Sequence, residues 1–147
     1  MREDLEDQFF ERFPKLFPNG KDVDPKISLM YYGFGCRDGW FKLIWELCED
    51  IEEIIEDEGP EDFFVVQVKQ KFGGLRFYTS EPNNKIYELI TIAENDSVSI
   101  CEDCGEFGTL RRGQGLLRTA CDSCYEFKMG RRGKSYIERL RAEEKVN

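Results

Sequence analysis

Two Cys-x2-Cys pairs are the feature that most constrains what this chain can fold into. The segment Cys101-Glu-Asp-Cys104-Gly105 and the segment Cys121-Asp-Ser-Cys124 are separated by a spacer that suits a short hairpin. Pairs at this spacing are typical of metal sites, because each pair places two thiolates on one tight turn. The sequence therefore predicts one structural Zn²⁺ per chain. Its predicted ligands are Cys101, Cys104, Cys121 and Cys124.

The four cysteines are also compatible, in principle, with another metal or with a redox role. A rubredoxin-like iron centre also uses four thiolates, but zinc is the commoner metal in ribbons and knuckles. A thioredoxin-like redox pair would need a βαβ context, which the sequence lacks. A closed four-thiolate site leaves no position for water or substrate, so the predicted metal is structural. Cys36 and Cys48 are isolated and are interpreted as ordinary thiols.

The complete absence of histidine limits the chemistry of this chain. It removes the commonest general acid or base and every Ser/His or Cys/His nucleophile pair. Paired carboxylates such as Glu102 and Asp103 have no evident catalytic partner and are interpreted as solvated. We therefore expect a protein that is not an enzyme and has no small-molecule substrate.

Charge is unevenly distributed along the 147 residues, whose net charge is −9. Residues 1–100 contain 11 Lys/Arg and 22 Asp/Glu, a net −11, whereas residues 101–147 contain 10 and 8, a net +2. No stretch approaches the ~20 apolar residues of a membrane span, and the first residues are acidic where a signal peptide would be basic. These features predict a cytoplasmic protein that does not bind membranes.

Hydrophobic periodicity predicts an α+β fold in which two or three helices pack on a small antiparallel sheet. The longest predicted helix runs from Trp40, with Asp38 as its N-cap, to the Gly59-Pro60 break. Two β-rich runs flank Gly73-Gly74 and predict a hairpin that turns at these glycines. Its predicted inward residues are Val66, Val68, Leu75 and Phe77. Further helices are predicted near Leu5–Phe13 and around Ile86–Ser97.

The chain is expected to have three consecutive parts. An acidic α+β layer would span residues 1–98, and a four-cysteine zinc ribbon or knuckle packed on it would span residues 99–127. A basic helical tail would occupy residues 128–147.

Ten carboxylates and no Lys or Arg lie between Glu46 and Asp62. A run of this kind is often only a solvated helix face. However, acidic residues near the C-terminal end of a helix oppose its dipole, which favours a functional role. We interpret Glu49, Glu53 and Glu56 as an acidic face that binds a basic protein surface.

Basic residues concentrate towards the end of the chain and suggest an alternative. Phosphate contacts by such residues would make this a nucleic-acid-binding zinc ribbon. Pairing of the tail with the acidic helix of the same chain is equally consistent with the pattern. The candidate nucleic-acid contacts are Arg111, Arg112, Arg131, Arg132 and Lys134.

Three motifs together resemble those of a family of small uncharacterised bacterial and phage proteins. They are Gly33-Phe-Gly-Cys-Arg-Asp-Gly-Trp40, Val68-Lys-Gln-Lys-Phe-Gly-Gly-Leu-Arg-Phe-Tyr78, and the two cysteine pairs. The resemblance covers roughly residues 14–124 and implies one continuous unit with a zinc site. It also implies a phage or mobile-element setting. There, an inhibitor or immunity-type protein acting on a nucleic-acid-processing defence complex would fit the acidic charge.

Overall fold

A computed structural model describes residues 1–81, 83–112 and 116–132, with the backbone alone for 128–132. The fold is α+β, as predicted, with small antiparallel sheets and helices packed around them. In chain order the elements are α1 (Glu3–Arg12), α2 (Phe41–Glu58), β1 (Val65–Lys71), β2 (Gly74–Thr79), α3 (Asn84–Ser97), β3 (Thr109–Arg111), β4 (Arg118–Ala120) and α4 (Asp122–Arg132). Short 3-10 helices cover Gly20–Asp22, Leu29–Tyr32 and Asp38–Trp40.

Helix α2 forms where the three- and four-residue apolar spacing predicts it. Ile44, Leu47, Cys48 and Ile51 are buried along one stripe, and the helix ends at Gly59, whose φ is 73°. The prediction that Asp38 caps this helix is wrong, because a 3-10 turn over Asp38–Trp40 precedes it. The Asp38 carboxylate instead accepts a hydrogen bond from the Arg2 backbone N–H at 2.8 Å.

The predicted hairpin is confirmed, but its turn lies one residue earlier than expected. Lys71 pairs with Gly74, so the turn residues are Phe72 and Gly73, with φ of 54° and 84°. Gly74 belongs to β2. The register also shifts between Val65 and Gln67.

This bulge changes which residues face the core. Val65 is fully buried and Val66 is only partly buried, so the expectation that Val66 points inward is wrong. Val68, Leu75 and Phe77 are buried as predicted.

Both edges of the β1–β2 hairpin are covered. Along β2, Leu75 N–H donates to Ser97 Oγ at 2.9 Å and Phe77 N–H donates to a Glu94 carboxylate oxygen at 3.1 Å. Along β1, Gly35 forms a parallel bridge with Lys69. Two side chains of α3 thus take the place of a third strand. They accept hydrogen bonds from backbone N–H groups that an open sheet edge would leave exposed.

The core is rich in aromatic residues that come from widely separated elements. Phe9 contacts the rings of Phe34, Phe41 and Trp45 at centroid distances of 4.7, 4.9 and 5.3 Å. Trp40 is fully buried, and its Nε1–H donates to the Ile100 carbonyl at 2.9 Å. In the described part of the chain, no helix is sufficiently long and apolar to cross a membrane.

Candidate metal centre

The first cysteine pair lies on a tight turn between α3 and β3. Gly105 N–H donates to the Cys101 carbonyl at 2.9 Å, and Cys101 N–H donates to the Glu106 carbonyl at 2.7 Å. Gly105 has a φ of 83°, a conformation that is costly for residues with a Cβ. The glycine after the second cysteine therefore allows the chain to fold back beneath both sulfurs.

The second pair lies where β4 meets α4. Cys121 follows Ala120, the last residue of β4, and Cys124 is in the first turn of α4. The Cys124 backbone N–H points at Cys121 Sγ, at 3.4 Å. The β3–β4 hairpin predicted for the spacer is present, and it brings the helix start next to the first pair.

The four sulfurs form a cluster that could hold a metal ion. Their ligand atoms all lie within 4.8 Å of one another, and Cys104 Sγ is 3.7 Å from Cys121 Sγ. Zinc–thiolate bonds of about 2.3 Å in a tetrahedron separate neighbouring sulfurs by roughly 3.8 Å. The cysteine side chains are free thiols in the structure, so no disulfide competes for them. The donor set and its spacing therefore fit a four-coordinate ion such as zinc.

The environment of Cys101 favours its thiolate form. Burial raises the pKa of this thiol, but hydrogen bonds from the backbone N–H groups of Cys121, Cys104 and Asp103 outweigh it and lower the pKa to about 7. By contrast, burial raises the pKa of Cys36 to about 12 and the pKa of Cys48 well above its usual value. The pKa of Cys124 is raised by burial and by hydrogen bonds to the neighbouring sulfurs, and that of Cys104 is raised as well, so Cys101 is the sulfur of the cluster that most favours the thiolate in the absence of metal.

The loop before α2 packs directly on the turn that contains Cys101 and Cys104, which we call the metal turn. Gly39 N–H donates to the Glu102 carbonyl at 2.7 Å. A Cβ at Gly39 would overlap the Cys101 carbonyl oxygen and lie 2.5 Å from that of Glu102. Close backbone approach at this point explains why the chain has glycine there. Sequence reasoning missed this contact, although the Gly39-Trp40 pair was part of a motif that it noticed.

Asp103, within the first cysteine pair, connects the metal turn to two arginines. Its carboxylate oxygens lie 3.2 Å from Arg37 and 2.6 Å from Arg118. These residues line a cleft of about 380 Å³ together with Glu102, whose carboxyl is buried and has a raised pKa because of that burial. Sequence reasoning interpreted Glu102 and Asp103 as solvated, whereas the structure holds both in this cleft.

The predicted acidic residues lie together on the outer side of α2. Glu49, Glu53 and Glu56 are all exposed. Within the described ranges, no Lys or Arg nitrogen comes within 4 Å of their carboxylates. Other acidic residues of α2 are paired, for example Glu52 with Arg12 at 2.9 Å. The structure therefore groups the three residues on one face that is open to solvent.

The basic residues that were predicted to contact nucleic acid do not form one group in the described structure. Arg111 is bonded to Asp122 at 2.5 Å and stacks on Tyr125, with its guanidinium 4.8 Å from the ring centroid. Arg112 is exposed at the end of β3. The backbone of Arg131 and Arg132 belongs to α4, while Lys134 and the rest of the basic tail lie outside the described residues.

No protein-family model, curated protein or solved structure matches this chain. The metal centre is therefore assigned from its own geometry.

Proposed function

We propose that this is a non-enzymatic, zinc-stabilised binding protein that presents the acidic face of α2 to a basic protein surface. The observation that carries the proposal is the exposed group of Glu49, Glu53 and Glu56, which has no ion pair within the described residues, on a helix whose opposite side is fixed in the core. Such a face attracts a basic partner over long range and repels nucleic acid and anionic membranes. The metal contributes rigidity rather than chemistry.

Zinc is the proposed ion because the site offers four thiolates and no other donors. Soft sulfur ligands in a tetrahedral arrangement suit zinc or iron, and zinc is the usual occupant of closed structural sites. Four protein ligands fill the coordination sphere, so substrate has no place on the metal. Together with the absence of histidine, this supports a binding role rather than catalysis.

A shallow aromatic hollow adjoins the acidic face and supports the proposal. Its volume is about 250 Å³, and Phe41 and Trp45 stack beneath it with ring centroids 5.4 Å apart. Glu49 lies at its rim beside Glu46, which is 3.9 Å from Lys42 Nζ, and Gln8 completes its lining. An aromatic surface bordered by carboxylates suits an arginine side chain, which can stack and form charge-assisted hydrogen bonds together.

An arginine at the end of α1 is already held between a ring and a carboxylate of α2. Arg12 lies 4.5 Å from the centroid of the Phe13 ring and bonds to Glu52 at 2.9 Å. Phe13 in turn packs against Trp45, with ring centroids 4.9 Å apart. The hollow between α1 and α2 repeats this combination of ring and carboxylate, and we propose that a partner's arginine occupies it.

Charge reversal tests the acidic face. Glu49→Lys, Glu53→Lys and Glu56→Lys in one chain should weaken binding of a fluorescent arginine-rich peptide about tenfold or more, measured by anisotropy at low salt. A matched control carries Asp22→Lys, Glu81→Lys and Glu88→Lys. These three residues are exposed elsewhere, and the change in net charge is the same.

Equal binding by the wild-type chain and the α2 variant would disprove the acidic-face proposal, as would equal losses in both variants. If the α2 variant alone loses binding, the natural partner can be sought by affinity capture from native lysate with that variant as the negative control. Action as an inhibitor or immunity-type protein, in phage or elsewhere, is a proposal that the captured partner would test.

A further inference from the structure

The outer face of the β1–β2 hairpin is basic in a chain that is otherwise strongly acidic. Alternation along the strands turns Val68, Leu75 and Phe77 into the core and turns the neighbouring residues outward. Lys69 lies directly opposite Arg76 in the register. Lys71 follows on the same face of β1, so three cations share this surface.

These three cations have no ion pair in the described part of the chain. Among the residues that the structure describes, no carboxylate oxygen comes within 4 Å of the side-chain nitrogens of Lys69, Lys71 or Arg76. The chain contains 30 Asp and Glu, and cations elsewhere use them, as Arg37, Arg111 and Arg118 do. Lys69, Lys71 and Arg76 therefore form a group of unpaired cations on the hairpin. Of the arginines that the sequence suggested, Arg111 is paired with Asp122, whereas Arg112 is exposed and has no ion pair among the described residues.

Phe72 at the hairpin tip is unfavourable for the fold in two respects. It adopts a φ of 54°, which glycine or asparagine adopts more easily, and its side chain is 67% exposed. Lys71 Nζ lies over its ring, 5.5 Å from the centroid. A second aromatic, Tyr78, is 42% exposed on the outer face of β2. A bulky aromatic at such a position is a feature that contact with a ligand would explain.

The ligand that matches this surface is a single-stranded nucleic acid. Cations attract the phosphate backbone, and exposed rings give unpaired bases a surface on which to stack. A double helix offers no free base faces, and an acidic peptide offers no comparable stacking partner. Among the described residues, no ion pair joins the acidic face of α2 to these three cations.

We propose that Lys69, Lys71, Phe72, Arg76 and Tyr78 form a single-strand-binding surface. The cations hold phosphates, and the two rings stack with bases. None of these five residues belongs to the acidic face of α2.

Fluorescence anisotropy at about 50 mM salt tests the proposal with a single-stranded oligonucleotide of about 15 nucleotides, its duplex, and a polyglutamate peptide. The wild-type chain should bind the single strand most tightly. Phe72→Asn should weaken this binding about tenfold while the thermal midpoint stays equal or rises, because asparagine suits the turn. Tyr87→Ala, which removes an aromatic that is 69% exposed on α3, should leave binding unchanged.

A second variant tests the phosphate contacts separately. Lys69→Gln with Lys71→Gln should reduce the slope of log affinity against log salt by about 1.4, since each lost single-strand phosphate contact contributes roughly 0.7. No single-strand binding at low salt would overturn the proposal. So would tighter binding of polyglutamate or duplex, or wild-type affinity in Phe72→Asn.

Discussion

At the scale of single residues, several side chains have roles that burial and geometry reveal but the sequence does not. Glu6 is an example, since it lies on the first helix among other acidic residues and resembles a solvated position. In the structure its carboxylate accepts the Phe34 backbone N–H at 3.0 Å, and Gly33 leaves space for it. Partial burial, which is the main cause, raises the pKa of Glu6 above its ordinary value.

This raised pKa predicts a pH dependence of stability. As pH rises from the unfolded-state pKa towards the folded one, the unfolded chain releases its proton first, so Glu6 progressively destabilises the fold. Above the pKa that Glu6 has in the folded chain, this decrease in stability has reached its full size. Glu6→Gln keeps an acceptor for Phe34 and removes the charge. Its unfolding free energy relative to wild type should therefore increase between about pH 4 and pH 7.

Urea denaturation across this pH range measures the difference. Loss of metal in acid affects both chains, so it cancels in the comparison. Glu88→Gln, at an exposed position on α3, serves as the control and should give a small difference that is independent of pH. A difference for Glu6→Gln that is flat or that shrinks with rising pH would refute this account of Glu6.

At the scale of elements, apolar periodicity predicted α2, α3 and the hairpin, because each buries one regular stripe. The hairpin turn was misplaced by one residue, since Gly73-Gly74 offers two equally permissive positions. Tertiary contacts decide between them: Leu75 N–H must reach Ser97 Oγ, and a Cβ at Gly74 would lie 3.5 Å from Val98 Cγ1. Sequence spacing alone contains no information about that contact with α3.

Contact between elements also explains Gly39. In Gly39→Ala the new Cβ meets the backbone of Cys101 and Glu102, which cannot shift without moving the metal ligands. We expect a loss of about 1–3 kcal/mol in unfolding free energy and weaker retention of zinc against a chelator. Gly74→Ala is the matched control, because its Cβ would make only ordinary contacts. Wild-type stability and zinc retention in Gly39→Ala would show that the loop does not support the metal turn.

At the scale of the whole molecule, long-range hydrogen bonds join the segments around the four cysteines to the region before α2 and to the β1–β2 hairpin. Trp40 donates to the carbonyl of Ile100, and Thr119 Oγ1 donates to the Gly73 carbonyl at 2.7 Å in a buried position. The grouping of the four cysteines could be predicted because their spacing in the sequence is typical of metal sites. The packing could not, because it depends on residues far apart in the chain. The charged side chains are separated too: the exposed carboxylates lie on α2, and the unpaired cations of the described β1–β2 hairpin lie on its outer face.

The central claim is that Cys101, Cys104, Cys121 and Cys124 bind one zinc ion that holds the end of the fold in place. Elemental analysis of the purified protein, followed by amide hydrogen exchange before and after chelation, tests it most directly. We predict about one zinc per chain, with protection of residues 100–125 lost on chelation because metal binding energy is folding energy here. A chain without zinc or iron, or equal protection after complete metal removal, would contradict the claim.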